Sequence, residues 1–126
     1  MTRVIILLTF ILCFSQVALS QSWLSGTWEG KGHQAKSDRG WTAKLTVQRK
    51  KFLIEYPSLE CSGEWKLIRF NKFRARFREN IKVNQQACEP IGDVILQRLN
   101  NNQILFLYSY SGKPEIISSS VFNRIK

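Results

Sequence analysis

Apolar and polar residues alternate along most of the chain after its first 20 residues, which is the pattern of strands with one buried face. In the clearest stretch every second residue is apolar: Trp41, Ala43, Leu45 and Val47, separated by Thr42, Lys44, Thr46 and Gln48. This period of two indicates a half-buried strand. Similar runs predict strands over residues 23–32, 41–48, 52–56, 63–70, 73–83, 93–99, 103–111 and 116–125. The sequence has no convincing amphipathic-helix period.

Turn signals separate these strands at short, regular intervals. Pro57 ends the strand before it, because proline cannot donate a hydrogen bond to a sheet, and Asn100, Asn101 and Asn102 form a turn-prone polar cluster. Short strands at such spacing indicate a β-sandwich or a β-barrel. Sequential hairpins without long crossovers favour a barrel, which leaves no exposed edge strand. We therefore predict an all-β fold, an up-and-down antiparallel barrel of about eight strands, with a β-sandwich as the alternative.

The hairpin of residues 63–70 and 73–83 is expected to have an apolar inner face and a basic outer face. On its second strand the inner face would carry Phe73, Ala75, Phe77, Glu79 and Ile81. Trp65 and Leu67 should face the core with Phe77, since residues opposite one another point to the same side. A two-residue turn would break this match. We therefore expect a connection with an odd number of residues, or a bulge that corrects the register.

Glu79 is the one ionisable residue that this register places on the inner side, near Trp65. A buried carboxylate costs several kcal/mol unless it is paired or protonated. Glu79 is then either a polar anchor in a ligand cavity, together with Tyr56, or a structural partner of Arg124, Tyr56 or a backbone group. The structural interpretation is favoured because small barrels often fill their interior with side chains, although eight strands can also enclose one small ligand.

The first 20 residues have the features of a signal peptide. A short basic start precedes an uncharged apolar run at residues 4–14, and small residues follow at Ala18 and Ser20. The run is shorter than the roughly 20 residues of a membrane-spanning helix. We predict cleavage near Ser20, a secreted or periplasmic protein that is not a transmembrane protein, and a single barrel domain over residues 21–126.

Two cysteines, Cys61 and Cys88, remain after the predicted cleavage. An even number of cysteines in an exported chain indicates a disulfide. The hairpin register also places both residues at its open end, where a bridge is geometrically sensible.

A first family resemblance comes from residues near the two termini of the predicted domain. Gly26-Thr27-Trp28 on the first strand, with Arg124 on the last, resembles the lipocalin and avidin type of barrel. This resemblance implies a calycin-like fold. The resemblance implies that Trp28 plugs one barrel end and that Arg124 packs across it.

A second resemblance covers nearly the whole predicted domain. It is carried by Gly26-x-Trp28-x-Gly30, Tyr56-Pro57-Ser58-Leu59-x-Cys61-x-Gly63-x-Trp65, Phe77-x-Glu79-x-Ile81, Cys88 and Val94-x-Leu96. These motifs resemble a small extracytoplasmic bacterial domain, found alone in secreted proteins and similar to domains that follow the membrane helix of some serine/threonine kinases. The resemblance implies a barrel, a disulfide and export. It implies no ligand, because the group has no established activity.

Catalytic and metal chemistry find little support in the sequence. His33 is the single histidine, and no nucleophile motif accompanies it as general acid–base catalysis would require. Clustered carboxylates or further histidines at metal-ligand spacing are also missing. We predict a protein that is not an enzyme and has no cofactor and no metal site.

The strongest functional hint is charge. The formal net charge is +10, and Lys66, Arg74, Arg76, Arg78 and Lys82 are expected to point outward together, with Ile68 and Phe70 between them. Such a ladder of like charges is better tolerated when an anionic partner neutralises it. The alternative is a solvated face that keeps the protein soluble.

The leading hypothesis is therefore an exported, non-enzymatic binding module. Its basic face would bind an anionic envelope component or an acidic protein, without specific nucleic-acid binding. One alternative is a lipocalin-like carrier that holds a small apolar ligand inside the barrel, with Glu79 and Tyr56 as polar fixtures. Another is an inhibitor of a secreted enzyme.

Overall fold

A computed structural model describes residues 23–34 and 37–125, the side chains of residues 37–39 excepted. The eight strands are β1 Gly26–Gln34, β2 Ser37–Gln48, β3 Lys51–Tyr56, β4 Cys61–Phe70, β5 Arg74–Val83, β6 Ile91–Asn100, β7 Gln103–Tyr110 and β8 Ser118–Arg124. Each strand pairs antiparallel with the next, and β8 returns to β1. The predicted up-and-down barrel is confirmed, and the sandwich alternative is wrong. The predicted signal peptide, residues 1–20, lies outside the described residues.

Period-two alternation decides which side chains fill the barrel. On β3, Phe52, Ile54 and Tyr56 are buried, whereas the residues between them are exposed. The same pattern on the other strands buries Trp28, Leu45, Phe77, Val94, Leu96, Ile104, Phe106 and Phe122 at 1% exposure or less. Burial of this apolar area is the main favourable term in folding.

Glycines on the inner wall make room for aromatic rings. A Cβ atom on Gly32 would lie 2.0 Å from the Trp41 ring, and one on Gly92 would lie 2.3 Å from the Tyr108 ring. Both distances are far below van der Waals contact. Only glycine lets these rings lie flat against the neighbouring strands.

A β-bulge at Ile68 sets the register of the β4–β5 hairpin. Leu67 lies opposite Phe77, and Arg69, not Ile68, lies opposite Arg76. Ile68 and Arg69 are consequently both exposed. The bulge is one of the two corrections that the sequence predicted.

Two sequence expectations for this hairpin are wrong. After the bulge Phe70 faces inward, where it is partly buried and stacks on Trp23 at a centroid distance of 5.7 Å. Phe73 does not reach the inner face and is 68% exposed. The side chain of Asn71 accepts hydrogen bonds from the backbone N–H groups of Phe73 and Arg74, at 2.9 Å each. This turn holds Phe73 outside the strand.

One end of the barrel is closed by Trp28 and Arg124. The Trp28 indole is fully buried and donates to the carbonyl of Leu24 at 2.9 Å. The guanidinium carbon of Arg124 lies 4.1 Å from the centroid of the Trp28 ring. Its nitrogens donate to the carbonyls of Trp23, Ser25 and Asn101. Trp28 and Arg124 therefore pack together at this end of the barrel.

Helical structure is minor in the part of the chain that the structure describes. In residues 23–34 and 37–125 no helix is long and apolar enough to cross a membrane. A 3₁₀ turn, Pro57–Leu59, links β3 to β4.

Candidate functional site

The end of the barrel opposite Trp28 contains a cavity of about 330 Å³. Strands β3, β5 and β7 finish at this end, and the connections after them, residues 57–60, 84–90 and 111–117, surround the opening. We call this space the mouth cavity. Residues of its rim, such as Gln86 and Glu89, are exposed, whereas residues of its floor, such as Glu79, are buried.

Aromatic side chains form the walls of the mouth cavity. Trp41 meets Tyr56 edge to face, with ring centroids 5.7 Å apart, and meets Phe106 at 5.3 Å. Phe106 stacks with Tyr108 at 6.5 Å, and Tyr108 meets Tyr110 at the rim at 6.2 Å. Rings from β2, β3 and β7 therefore surround one space, because each lies near the open end of its strand on the inner face.

The Trp41 indole is held in place by hydrogen bonds. Its Nε1 donates to the hydroxyl of Ser118 at 2.8 Å, and that hydroxyl donates to the backbone carbonyl of His33 at 3.1 Å. Trp41 is only 7% exposed. The wall it forms is preorganised.

Glu79 lies at the cavity floor and is 2% exposed. Its Oε2 accepts a hydrogen bond from Trp65 Nε1 at 2.7 Å and a second from the hydroxyl of Tyr56. Trp65 and Glu79 are directly opposite each other across β4 and β5; the sequence predicted only that they lie near each other on the inner side. Arg124 is at the closed end, so the prediction that it could pair with Glu79 is wrong. The hydrogen-bond partners of Glu79 are Tyr56 and Trp65.

Burial controls the protonation of this cluster. It raises the pKa of Glu79, and the hydrogen bonds from Tyr56 and Trp65 oppose that shift. The pKa of Tyr56 is well above its ordinary value, first because of burial and then because of the Glu79 carboxylate. The pKa of Tyr108 is raised by burial, followed by the charges of Glu79 and Glu89. Both phenols are consequently neutral donors at physiological pH.

The disulfide fixes the rim of the mouth cavity. Cys61 and Cys88 are bridged with a Cα–Cα distance of 6.4 Å, which confirms the predicted pair. The same loop is held by a hydrogen bond from Asn84 to the carbonyl of Glu60, at 3.2 Å, and by one from Gln85 to the carbonyl of Ile81, at 2.9 Å. The bridge therefore ties the β5–β6 connection to the start of β4.

The basic residues lie on the outer wall, away from the mouth cavity. Lys66, Arg74, Arg76, Arg78 and Lys82 are all exposed on β4 and β5. Arg78 also forms an ion pair with Asp93 on β6 at 3.8 Å. The bulge adds Arg69 to this basic face, opposite Arg76, and Lys66 lies opposite Arg78.

Sequence reasoning found Glu79 and Tyr56 but missed most of the cavity. Trp41, Phe106, Tyr108 and Ser118 were not singled out, although each is a lining residue. A usable signal was their position: each lies within the last few inward-facing positions at the open end of its strand. His33 is exposed on β1.

The chemistry of the described residues offers nothing that would hold a metal ion. Across residues 23–34 and 37–125 no three His, Cys, Asp or Glu side chains come together in a suitable group.

Fold and site define a closed, eight-stranded antiparallel barrel with one plugged end and one open end. A solved structure described as a redesigned β-barrel is similar, with a TM-score of 0.65 and 13% sequence identity over 89% of this chain and all of that one. The likeness concerns the fold alone. No protein-family model and no curated protein sequence matches the chain.

Proposed function

We propose that this protein is a non-enzymatic binding protein that holds one small molecule with an apolar body in the mouth cavity. The observation that carries the proposal is the cavity itself, about 330 Å³ in volume and lined by fixed aromatic rings. Ligand pockets typically measure about 300–1,000 Å³ and combine apolar walls with a few placed polar groups. Glu79 and Tyr56 would be those polar groups.

Binding is favoured over catalysis by the way the polar groups are used. The hydroxyl of Ser118 is engaged with Trp41 and the carbonyl of His33, so it is not poised beside a base as a nucleophile must be. Glu79 Oε2 is held by Tyr56 and Trp65. This arrangement fixes the Glu79 carboxylate at the cavity floor, where its Oε1 would be the acceptor for a bound molecule.

The tryptophan indoles offer a direct test by NMR. Trp41 lines the mouth cavity, whereas Trp28 is buried at the opposite end. Addition of the neutral probe 3,3-dimethylbutan-1-ol is expected to shift the indole N–H signal of Trp41 and to leave that of Trp28 unchanged. Native mass spectrometry of the purified protein would show whether a small molecule already occupies the site.

A blocking variant and its control complete the test. Ala87 is an exposed rim residue that lines the cavity, so Ala87→Trp should cover the opening and abolish the shift at Trp41. Gln48→Trp adds the same side chain at the closed end of β2, where it is exposed, and should change nothing. Equal shifts in both variants would refute a site in the mouth cavity.

A second candidate function uses the basic face, as a binding surface for an anionic envelope partner. The observation that favours it is the pairing of like charges, Lys66 with Arg78 and Arg69 with Arg76. Like charges opposite one another are destabilising, and an anionic surface would relieve the repulsion.

Vesicle binding tests this second function. An Arg69/Arg74/Arg76→Gln variant should lose binding to vesicles that contain phosphatidylglycerol. In the wild type this binding should weaken with salt, because salt screens the attraction between exposed charges. A Lys31/Lys44/Lys113→Gln variant removes the same charge elsewhere and serves as the control. Equal loss in the two variants would reduce the effect to net charge.

Export remains part of the proposal. The disulfide between Cys61 and Cys88 supports it, since such bonds persist in oxidising compartments. The contact between Trp28 and Arg124 likewise supports the proposed kinship with lipocalin-type barrels.

A further inference from the structure

We propose that the ligand of the mouth cavity is an organic cation, a small molecule with a quaternary or primary ammonium group on an apolar body. This inference rests on the proposed function and adds the chemical class of the ligand. It comes from the charges, aromatic faces and hydrogen bonds of the cavity lining.

The ionisable residues that line the cavity are acidic, whereas the protein as a whole is basic. The sequence has 19 Lys and Arg against 9 Asp and Glu. Yet the described residues that line the cavity include two carboxylates, Glu79 and Glu89, and no Lys or Arg. A pocket for a fatty acid or another anion would instead need a basic side chain, which pairs strongly with carboxylates.

The walls have the geometry that suits a cation. Five aromatic rings of the described residues line the cavity, from Trp41, Tyr56, Phe106, Tyr108 and Tyr110. Aromatic faces attract cations through their quadrupole, and cages of such rings recognise quaternary ammonium groups. Edge-to-face pairs such as Trp41 with Phe106 and Tyr108 with Tyr110 orient neighbouring rings in different directions around the space.

Glu79 supplies the counter-charge at the cavity floor. Within the described residues both of its hydrogen bonds end on Oε2, which leaves Oε1 for a ligand. Burial raises the pKa of Glu79, and the groups that lower it are the hydrogen-bond donors Tyr56 and Trp65. No cationic side chain of the described residues contributes to that lowering, so a bound ammonium group would be the positive partner of this carboxylate.

Among the residues that the structure describes, the other titratable groups near Glu79 add no positive charge. Tyr56 on β3 and Tyr108 on β7 are close enough to Glu79 for its charge to raise their pKa values. Glu89 in the β5–β6 connection also raises the pKa of Tyr108. The two tyrosines stay neutral because their pKa values are raised. A cation that binds here should therefore bind more tightly as pH rises and Glu79 ionises.

Three probes of matched shape test the class of ligand. Choline, 3,3-dimethylbutan-1-ol and 3,3-dimethylbutanoate share a head of three methyl groups and are cationic, neutral and anionic. Titrations followed at the Trp41 indole signal should give choline about a tenfold higher affinity than the neutral alcohol, as expected for one charge interaction of this kind. Binding of the anion should be weaker still.

Two isosteric variants locate the origin of that preference. Glu79→Gln should reduce the preference for choline over the neutral alcohol to near unity and remove the pH dependence. Glu64→Gln makes the same change next to Trp65 on the outer face, where Glu64 is exposed, and should preserve both. A circular dichroism spectrum and melting curve would establish that each variant is folded.

The possible outcomes separate the inference from the function on which it rests. Equal or tighter binding of the alcohol or the anion would overturn the cation preference and leave a small-molecule site in place. Failure of all three probes to shift Trp41 would overturn both. A choline preference that survives Glu79→Gln would overturn the role of Glu79.

Discussion

The two ends of the barrel use similar residues for different purposes. Each end combines a tryptophan with an ionisable side chain: Trp28 with Arg124 at the closed end, and Trp65 with Glu79 at the open end. The guanidinium of Arg124 donates to three backbone carbonyls, so its hydrogen bonds are made within the protein. Glu79 is buried deeper and borders a cavity. Arg124, whose partners belong to the protein, stabilises the closed end. Glu79, which borders the cavity, is a candidate for ligand binding.

Removal of the plug should have the largest effect on stability. Trp28→Ala deletes a fully buried indole and should lower the free energy of unfolding by about 4 kcal/mol, in the range for large aromatic side chains. Urea denaturation followed by circular dichroism would measure the loss.

Trp23→Ala is the matched control at the same end. Trp23 is partly buried and stacks on Phe70, so its truncation should cost much less. If the two variants were equally destabilised, Trp28 would have no special place in closing the barrel.

Loss of the disulfide should be the next largest effect, and it concerns the open end. The Cys61→Ser/Cys88→Ser variant leaves no free thiol from the pair, and the bridge closes a loop with a sequence separation of 27. The chain-entropy estimate for that loop is about 3.5 kcal/mol. Denaturation midpoints of the two proteins would give the difference, and an unchanged midpoint would contradict the estimate. Ligand probes should also bind more weakly, since the bridge holds the rim.

The smallest effect is the pH dependence that Glu79 gives to stability. Its pKa in the folded protein is raised above the unfolded value of about 4.3. Between the two values the folded state keeps a proton that the unfolded state has lost, so stability falls as pH rises through this interval.

Glu79→Gln removes that titration. Relative to the wild type, this variant should gain stability as pH is raised from about 4 toward neutrality. Free energies of unfolding for both proteins at several pH values would test the sign. A wild type that instead gains stability relative to Glu79→Gln over this interval would show that the carboxylate is stabilised by its hydrogen bonds more than it is destabilised by burial.

The regular part of the fold was readable from the sequence, because alternation on each strand reports burial directly. That Trp65 lies near Glu79 on the inner side followed from the same rule. The bulge at Ile68 was anticipated only as one of two corrections, and its position was not. A single extra residue reverses the facing of everything after it, which is why Phe70 and Arg69 were misplaced or missed.

The candidate site was harder to predict for a different reason. The volume of a cavity is the difference between the space that the strands enclose and the volume of the inward side chains. The alternation of apolar and polar residues predicts neither quantity. Arg124 was considered as a partner of Glu79 because the alternation gives the face on which Glu79 lies but not its distance from either end of the barrel. The contribution of Trp41 and Tyr108 depends on Gly32 and Gly92, which lie against their rings.

The seam between β1 and β8 has a consequence for the order of folding. Every other pair of neighbouring strands is consecutive in sequence and can form as a local hairpin, whereas Trp28 lies opposite Arg124 across almost the full domain. Contacts between residues far apart in sequence form late, because they must overcome the entropy of closing a long loop. We therefore expect an open, curled sheet of hairpins to precede the barrel, with the hydrogen bonds of Arg124 forming only when the first and last strands meet.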